Sequence, residues 1–435
     1  MKTGRLFSLP KDERGVAAIV VALGLFMLLG FGALAIDLSH IYVARNELKN
    51  ATDAGALAGA RFLYNREDGT VDTGANQRAC DAARDNRSEN VVVEVNCSQT
   101  ADGVERGHWS FTTRTFTANP STAPVDLWDR SWAVLDADPN FINAVRVTAR
   151  REATQIASYF ATLFGYTGFR QSRDSVAYIG FAGTLEPQDV DQPIAICKQS
   201  IIQPPEGPYT CTTGRMLDSG GGTTHNSGAW TNFSQPCETA SPPTVRPLVC
   251  GDGNPNVITL GEGMGTTGGV TDNVYRRLRD CWLELPDMAK DSRDYPVETW
   301  SLTLPVIDCP DNNPGPCSRV VGAVSLDVLW IKQPSTDPPY SDIPLQMEGW
   351  ECSIWVDAGR PLISSLSVAQ RVQCWSQFAT TFNLRTADGT SVAALTPPQL
   401  QKTIFFSPSC EPHEPRGVTG GDNFGILAEI PVLVQ

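Results

Sequence analysis

The chain has 435 residues, a formal net charge of −14 and a hydrophobic content of 41%. This is enough apolar material for packed cores and excludes a disordered acidic tail, while the length suggests two or three domains. The acidic balance disfavours a nucleic-acid partner, because lysine and arginine are the side chains that neutralise phosphates.

A charge-free apolar run from Gly15 to Ile36 is the first element of the chain. Its length, about 22 residues, is close to what an α-helix needs to cross the core of a bilayer. Lysine and arginine precede the run, and Asp37 is the first charged residue after it. Because cytoplasmic flanks are enriched in basic residues, the pattern predicts a cytoplasmic tail over 1–14 and a transmembrane helix over 15–36.

The same run also fits two other kinds of N-terminal segment. Ala33-Leu34-Ala35 matches the A-x-A cleavage site of a secretory signal peptide, but the run is longer than the usual 7–15-residue apolar region of such signals. A pilin-type leader cut after Gly15 would need glutamate at the fifth mature position, where Val20 stands. A retained anchor is the favoured interpretation, and whether the segment is cleaved stays open.

Residues 37–66 continue the helix, since they contain no proline. Six apolar, mostly small residues recur at alternating spacings of four and three, which places them on one helical face. They are Ala44, Leu48, Ala51, Gly55, Ala58 and Phe62. Small residues let another backbone approach closely, so this face is predicted to dock a partner. The alternative, favoured when the stretch is considered alone, is an amphipathic helix that packs on its own domain.

The residues from Arg14 to Ala60 carry a resemblance to a known family. The family pattern is Arg-Gly, an apolar run, an aspartate, an aromatic residue, arginine, a step of leucine and asparagine, and a closing alanine-rich run with aspartate. In this chain these positions are Arg14-Gly15, Asp37, Tyr42, Arg45, Leu48-Lys49-Asn50 and residues 51–60. The segment resembles the N-terminal segment of the TadG-like proteins of Flp (Tad) pilus-assembly systems, and a fainter similarity continues to residue 183.

The resemblance implies a non-enzymatic, membrane-anchored component of Flp pilus assembly or Tad secretion. It places the chain in a bacterial inner membrane, with its N-terminus in the cytoplasm and its bulk in the periplasm. The implied partners are that membrane and other Tad/Flp pilus-assembly proteins or pilins, with neither a nucleic acid nor a small-molecule substrate. The alternative is a secreted or surface binding module, adhesin-like, with a cleaved signal peptide.

Residues 37–183 read as a mixed α and β region. Strands are predicted at Val91–Val95, Trp109–Thr115 and Ala144–Ala149, and a helix at Glu152–Phe164, which stops at Gly165. Cys80 and Cys97 are the only cysteines here. In an oxidising compartment a disulfide between them is the favoured interpretation, and two separately buried thiols are the alternative.

Residues 184–435 are richer in proline, glycine and cysteine and are predicted to form a β-rich, Cys-rich domain. Short strands are expected at Val257–Leu260, Leu302–Ile307, Val320–Ile331 and Cys352–Val356, and a helix at Thr271–Leu283. All twelve cysteines of the chain follow the apolar run, and no CxxC is present, so disulfides are favoured over metal binding. The predicted fold class is α+β: one transmembrane helix continuing into an amphipathic helix, a mixed α/β region and a disulfide-bonded periplasmic domain.

No motif supports a catalytic, cofactor or metal assignment. Residues 263–268 match GxGxxG, but without a parallel βαβ core a flexible glycine loop is the favoured interpretation. The four histidines are scattered, and no G-x-S-x-G elbow occurs. Calcium binding by loops such as residues 311–313 stays open.

Overall fold

The computed structural model describes residues 13–65, 70–123, 130–201, 215–217, 228–268, 272–310, 313–332, 340–386, 390–395, 402–417, 419–428 and 430–435. The chain divides into two compact units. The first consists of Met1–Pro124, Pro139–Tyr178 and Leu433–Gln435, and the second of Val125–Asp138 and Ile179–Val432. Residues 311 and 312, within the loop considered for calcium, lie outside the described residues.

The first unit is built on one long helix and an antiparallel sheet. Its helices are α1 (Glu13–Arg61) and α2 (Ala75–Arg84), and its strands are β1 (Arg87–Ser88), β2 (Val91–Val92), β3 (Asn96–Gln99), β4 (Gly103–Ser110), β5 (Thr115–Ala118), β6 (Ala144–Ala157) and β7 (Gly168–Tyr178). The main sheet runs β7-β6-β4-β3, with β5 on β4 and the last strand, Val432–Leu433, on β7. All its pairings among β4, β5, β6 and β7 are antiparallel, whereas β3 runs parallel to β4.

The second half of α1 packs against α2 and against β6 and β7. Its buried face is made of alanines and leucines, and the sheet contributes valines such as Val145 and Val147. Close approach depends on Gly55, where a Cβ atom would lie 2.7 Å from the Ala79 carbonyl oxygen and 2.9 Å from the Ala83 Cβ. The small residues of α1 therefore serve the packing of its own unit.

The second unit contains a larger sheet whose strand pairings close on themselves. The strands of the whole unit are β8 (Thr184–Leu185), β9 (Ile194–Cys197), β10 (Arg215–Leu217), β11 (Gly228–Thr231), β12 (Ile258–Thr259), β13 (Gly263–Thr267), β14 (Trp300–Ile307), β15 (Cys317–Ile331), β16 (Gln346–Met347), β17 (Trp350–Glu351) and β18 (Thr403–Pro412). The pairs β8–β12 and β16–β17 are separate from the larger sheet. Going round, β15 pairs with β13, β13 with β11, β11 with β9, β9 with β14 and β14 with β15 again. β18 extends this ring from β15, and β10 follows β18.

Helices and aromatic side chains complete the core of the second unit. The helices are α3 (Trp132–Ala137), α4 (Pro242–Val245), α5 (Asp272–Glu284), α6 (Ser353–Asp357) and α7 (Val368–Thr381). Trp330 on β15 stacks on Phe405 of β18 with ring centroids 5.5 Å apart, and Trp375 of α7 contacts Phe405 edge-on. Three tryptophans, Trp282, Trp330 and Trp375, are fully buried, which marks the centre of this core.

Disulfides crosslink each unit internally. Cys80 is joined to Cys97 in the first unit, so α2 is bonded to β3. The second unit contains Cys197–Cys309, Cys237–Cys317, Cys250–Cys281 and Cys352–Cys374. Among the described residues no cysteine is free.

The helix predicted over Glu152–Phe164 is wrong. Residues up to Ala157 belong to β6, and only Ala161–Phe164 form a short 3-10 turn. β6 bulges here, since Arg151 lies opposite Gln171 and Ile156 already opposite Phe169. The extended form persists because Ile156 is buried and side chains from elsewhere in the unit bind the bulged backbone.

Other predicted elements are shifted or replaced. The strand predicted at Trp109–Thr115 is a hairpin, in which Trp109 lies near the end of β4 and Thr115 starts β5. The strand predicted at Cys352–Val356 is the helix α6, which a disulfide holds to α7. Most of the GxGxxG run is the strand β13 rather than a flexible loop. Its first glycine serves packing, because a Cβ at Gly263 would lie 2.5 Å from the Cys317 sulfur.

The close contact at Gly55 yields a stability prediction. We expect Gly55→Ala to lower the free energy of unfolding by about 1–3 kcal/mol, because the added methyl group overpacks the contact between α1 and α2. Gly24→Ala in the same helix has no atom within 4 Å of the new Cβ and is the matched control. Urea denaturation of both variants measures the difference, and equal stabilities would contradict this account of the packing.

The disulfide pairing yields a second prediction. Proteolysis and mass spectrometry without reduction should recover the peptides of Cys80 and Cys97 as one linked species, and likewise the peptides of the four bridges named above for the described part of the second unit. Alkylation before reduction should leave these ten cysteines unmodified. A linked peptide that joins Cys80 to a cysteine of the second unit would contradict the fold.

Candidate functional site around Asp37

The first half of α1 is exposed and apolar. From Ala17 to Ile36 no side chain is buried, and no charged residue interrupts the segment. Among the described residues, α1 is the single helix long and apolar enough to cross a membrane by length and composition. It continues without a break through Ala33–Ala35, the stretch that resembles a cleavage site, and into the packed part of the first unit.

Asp37 marks the point where the exposed part of α1 becomes the packed part. Its side chain is only 4% exposed, although it follows directly on the charge-free run. The carboxylate accepts hydrogen bonds from the backbone N–H groups of Tyr159 (2.9 Å), Phe160 (3.1 Å) and Ala161 (2.7 Å), and from the Ser158 hydroxyl (3.1 Å). It thereby caps the 3-10 turn in the β6–β7 connection, whose first N–H groups have no partner within the turn.

Two opposing effects set the pKa of Asp37. Burial disfavours the charged carboxylate and acts to raise the pKa. The hydrogen bonds from Ala161, Tyr159, Phe160 and Ser158 favour the charged form and together outweigh burial, so the pKa lies below its ordinary value. The carboxylate is therefore ionised at neutral pH.

Glu94 binds the other end of the same hairpin segment. Its carboxylate accepts hydrogen bonds from the backbone N–H groups of Glu152 (3.2 Å), Ala153 (3.1 Å) and Thr154 (2.7 Å), and from the Thr154 hydroxyl (2.7 Å). Burial acts to raise the pKa of Glu94, but these hydrogen bonds dominate and lower it to about 2. Two carboxylates thus fix the bulge of β6 and the turn that follows it.

The segment that these two carboxylates bind carries no charge after Glu152 and continues into exposed apolar side chains. From Ala153 to Phe169 the chain has no charged residue. Leu163 is 81% exposed and Phe164 80% exposed, and the neighbouring Tyr159 and Tyr166 also lie open. Contiguous exposed apolar surface of this kind marks an interaction site rather than a random feature of a soluble surface.

An apolar groove connects this segment with the exposed half of α1. The cavity has a volume of about 300 Å³. Leu34, Leu38 and Ile41 of α1 line one side. Ala161, Phe164 and Tyr166 of the β6–β7 connection and Phe169 of β7 line the other side, and Asp37 of α1 is also a lining residue. We call the loop from Tyr159 to Tyr166 the apolar tip.

The β1–β2 turn holds the same part of α1 from a second side. The Glu89 carboxylate lies 2.6 Å from the His40 Nε2 atom, and the Glu89 N–H donates to Glu47 at 2.7 Å. The buried Ser88 hydroxyl donates to the Ala44 carbonyl oxygen at 3.3 Å, and Arg151 of β6 donates to the Ser88 carbonyl. The β1–β2 turn and the β6–β7 hairpin therefore both fix the first helical turns of α1 beyond the apolar run.

The predicted docking face of α1 is occupied by its own unit. Ala44, Leu48, Ala51 and Gly55 are buried, so they are not available to a partner. Ala58 is half-buried, and Phe62 is exposed at the end of α1 with the Arg78 guanidinium 4.4 Å from its ring centre. The alternative interpretation, an amphipathic helix packed on its own domain, describes this face.

The roles of Asp37 and Glu94 in the hairpin were not identified from the sequence. For Asp37 a signal exists, because an aspartate directly after a charge-free run must be either solvated or bound by donors. For Glu94 no local pattern distinguishes it from other surface glutamates. No group of three or more His, Cys, Asp or Glu side chains within the described ranges is arranged to hold a metal ion.

The two carboxylates should act locally and separately. We expect Asp37→Asn to accelerate backbone amide exchange at residues 159–161 and to leave residues 152–154 protected, because one good acceptor is replaced at one end of the segment. Glu94→Gln should do the reverse. Hydrogen exchange followed by mass spectrometry checks both, and each variant is the control for the other. If either variant accelerated amide exchange uniformly across the hairpin, the conclusion that Asp37 and Glu94 act separately would be contradicted.

The lowered pKa of Glu94 gives a dependence on pH. A carboxylate with a depressed pKa in the folded state stabilises that state fully above its unfolded value, and the contribution is lost as the pH falls through the folded value. For Glu94 these values are 4.5 and about 2. Backbone amide exchange at residues 152–154, corrected for the intrinsic rate, should therefore stay slow above pH 4.5 and become fast as the pH approaches about 2. Glu94→Gln should remove this dependence.

Two family models match the N-terminal part of the chain. Residues 15–61 match the model described as putative Flp pilus-assembly TadE/G-like, and residues 58–177 match the model described as putative Tad-like Flp pilus-assembly. No curated protein and no solved structure matches the chain. The first match covers α1, and the second covers the remainder of the first unit almost to the end of β7. Residues 15–177 thus match two Tad-type family models of Flp pilus assembly, and the resemblance recognised in the sequence is confirmed over this part of the chain.

Proposed function

We propose that the protein is a non-enzymatic, single-pass component of Flp pilus assembly or Tad secretion in a bacterial inner membrane. In this proposal residues 1–14 lie in the cytoplasm, residues 15–36 span the membrane, and residues 37–435 lie in the periplasm. The observation that carries it is α1, whose exposed apolar half continues without a break into the core of a unit with Tad-type domains.

The energetics of the exposed half favour a bilayer over water. Its large side chains, among them Phe26, Leu28 and Phe31, are more than half exposed. Each leucine, isoleucine, phenylalanine or valine at the centre of a membrane helix contributes roughly −0.3 to −0.6 kcal/mol to insertion. The run before Asp37 contains many of these and no charge to oppose them. Lysine and arginine before the run support an inward N-terminus.

Partner docking is assigned to surfaces other than the small-residue face of α1, which is buried. Other Tad/Flp proteins or pilins would meet the first unit at a defined height above the membrane, since α1 joins the span to the unit without a flexible linker. The second unit, crosslinked by four disulfides among its described residues, offers a further periplasmic surface that tolerates an oxidising compartment.

A secreted, adhesin-like binding module is the second candidate. Its support is the A-x-A stretch at Ala33–Ala35 together with the disulfide-rich second unit. Mass spectrometry of the mature protein separates the two, because cleavage there leaves a chain that begins at Ile36. An intact chain that stays in carbonate-washed membranes supports the anchored form.

Gene replacement tests the proposed role. Deletion of the gene should abolish surface pili and adhesion, and the full-length chain should restore both. A matched variant that begins at Asp37 behind an unrelated cleavable signal should fail to restore them, although it is exported at equal amounts with its disulfides formed. Normal pili in the deletion strain would defeat the proposed function, and rescue by the unanchored variant would defeat the need for the anchor.

A further inference from the structure

We propose that the apolar tip, Tyr159 to Tyr166, inserts into the interfacial layer of the same bilayer that α1 spans. The first unit would then contact the membrane at two places, through α1 and through the β6–β7 loop. This inference rests on the membrane anchoring in the proposed function, and it concerns a surface that the Tad-type assignment does not describe.

The first argument is depth. Leu34 lies two residues before the end of the charge-free run and Ile41 five residues after it. At 1.5 Å per residue, the groove that these residues line extends from about 3 Å inside to about 8 Å outside the end of the run. A bilayer of about 40–45 Å with a hydrocarbon core of about 30 Å has an interfacial layer of about 5–8 Å on each side. The groove therefore lies at the level of this layer.

The second argument is rigidity of placement. Asp37, one residue beyond the run, accepts four hydrogen bonds from residues 158–161, and Phe164 and Tyr166 share a groove with Leu34. Glu94 holds the preceding bulge. The tip is thus fixed beside the helix at the point where the apolar run ends, and its height follows from that of the helix.

The third argument is chemistry. The tip presents two tyrosines, two phenylalanines and a leucine, and the charge-free segment around it extends from Ala153 to Phe169. Tyrosine and other amphipathic aromatics concentrate at membrane interfaces, where the ring is buried and the hydroxyl stays hydrated. No charged side chain of the segment has to be desolvated. Burial of Leu163 and Phe164, which are almost fully exposed, contributes favourably through apolar area.

Fluorescence quenching in nanodiscs of phosphatidylcholine tests the insertion on the full chain. Leu163→Cys is labelled with an environment-sensitive fluorophore without reducing the disulfides, and it is quenched either by lipids with a doxyl group near the top of the acyl chain or by aqueous iodide. Leu28→Cys is the control within the span. Phe62→Cys is the control within the same unit, at the end of α1 and about 40 Å along the helix from Ile36.

The expected result is loss of emission at position 163 with doxyl lipid and protection from iodide, as at position 28 and opposite to position 62. Quenching of 163 by iodide alone, with 28 still protected, would overturn the inserted tip and leave the anchor intact. Quenching of both 163 and 28 by iodide would overturn the anchor itself. Protection of 163 from both quenchers would also overturn the insertion, because a second copy or another protein would then cover the tip.

The role of Asp37 in positioning the apolar tip is tested in the same assay. Asp37→Asn should reduce quenching of the 163 label by doxyl lipid, because the turn is no longer held at the helix, and should leave the 28 label unchanged. Asp81→Asn, the same substitution at an exposed position of α2, is the matched control and should leave both labels unchanged. Unchanged quenching at 163 in Asp37→Asn would overturn the positioning role of Asp37.

Discussion

The hydrogen bonding of Asp37 is the constraint on which the first unit depends. Burying a carboxylate is costly unless donors replace its water shell, and here three backbone N–H groups and one hydroxyl do so. These donors lie about 120 residues further along the chain. The aspartate at the end of the apolar run and the β6–β7 turn therefore satisfy each other's hydrogen-bonding groups.

The close packing of α1 determines which of its surfaces stay exposed and can contact a partner. Gly55 allows α2 to approach α1 closely, and Ala51 is fully buried. The small-residue face of α1 therefore packs inside the first unit. The apolar surface left open is the first half of α1 and the tip beside it. Both are continuous through the groove at Leu34 and Phe164, so the exposed apolar surface of the helix extends onto the loop.

The sequence predicted those features that depend on local pattern, and it failed where distant side chains decide. The long helix follows from an uninterrupted apolar run and a regular spacing of small residues. Glu152–Phe164 has the composition of a helix, yet its N–H groups are bound by Glu94 and Asp37, and β7 pairs with it. Those partners lie in other segments, so no local window contains the information. The ring of strands in the second unit is likewise defined by pairings between distant strands, such as β9 with β14.

Continuity of α1 gives the proposed anchor a mechanical consequence. A helix of 49 residues is about 74 Å long, and about half of it is packed in the first unit. With a flexible linker after the span, the unit would sample many heights and tilts, and a groove at membrane level would have no defined occupant. Here Asp37 and the turn at Ser88 fix the helix within the unit on two sides. A bilayer around the proposed span would therefore orient the whole first unit, and an inserted tip beside the helix would restrict its rotation about the helix axis, which a single span alone leaves free.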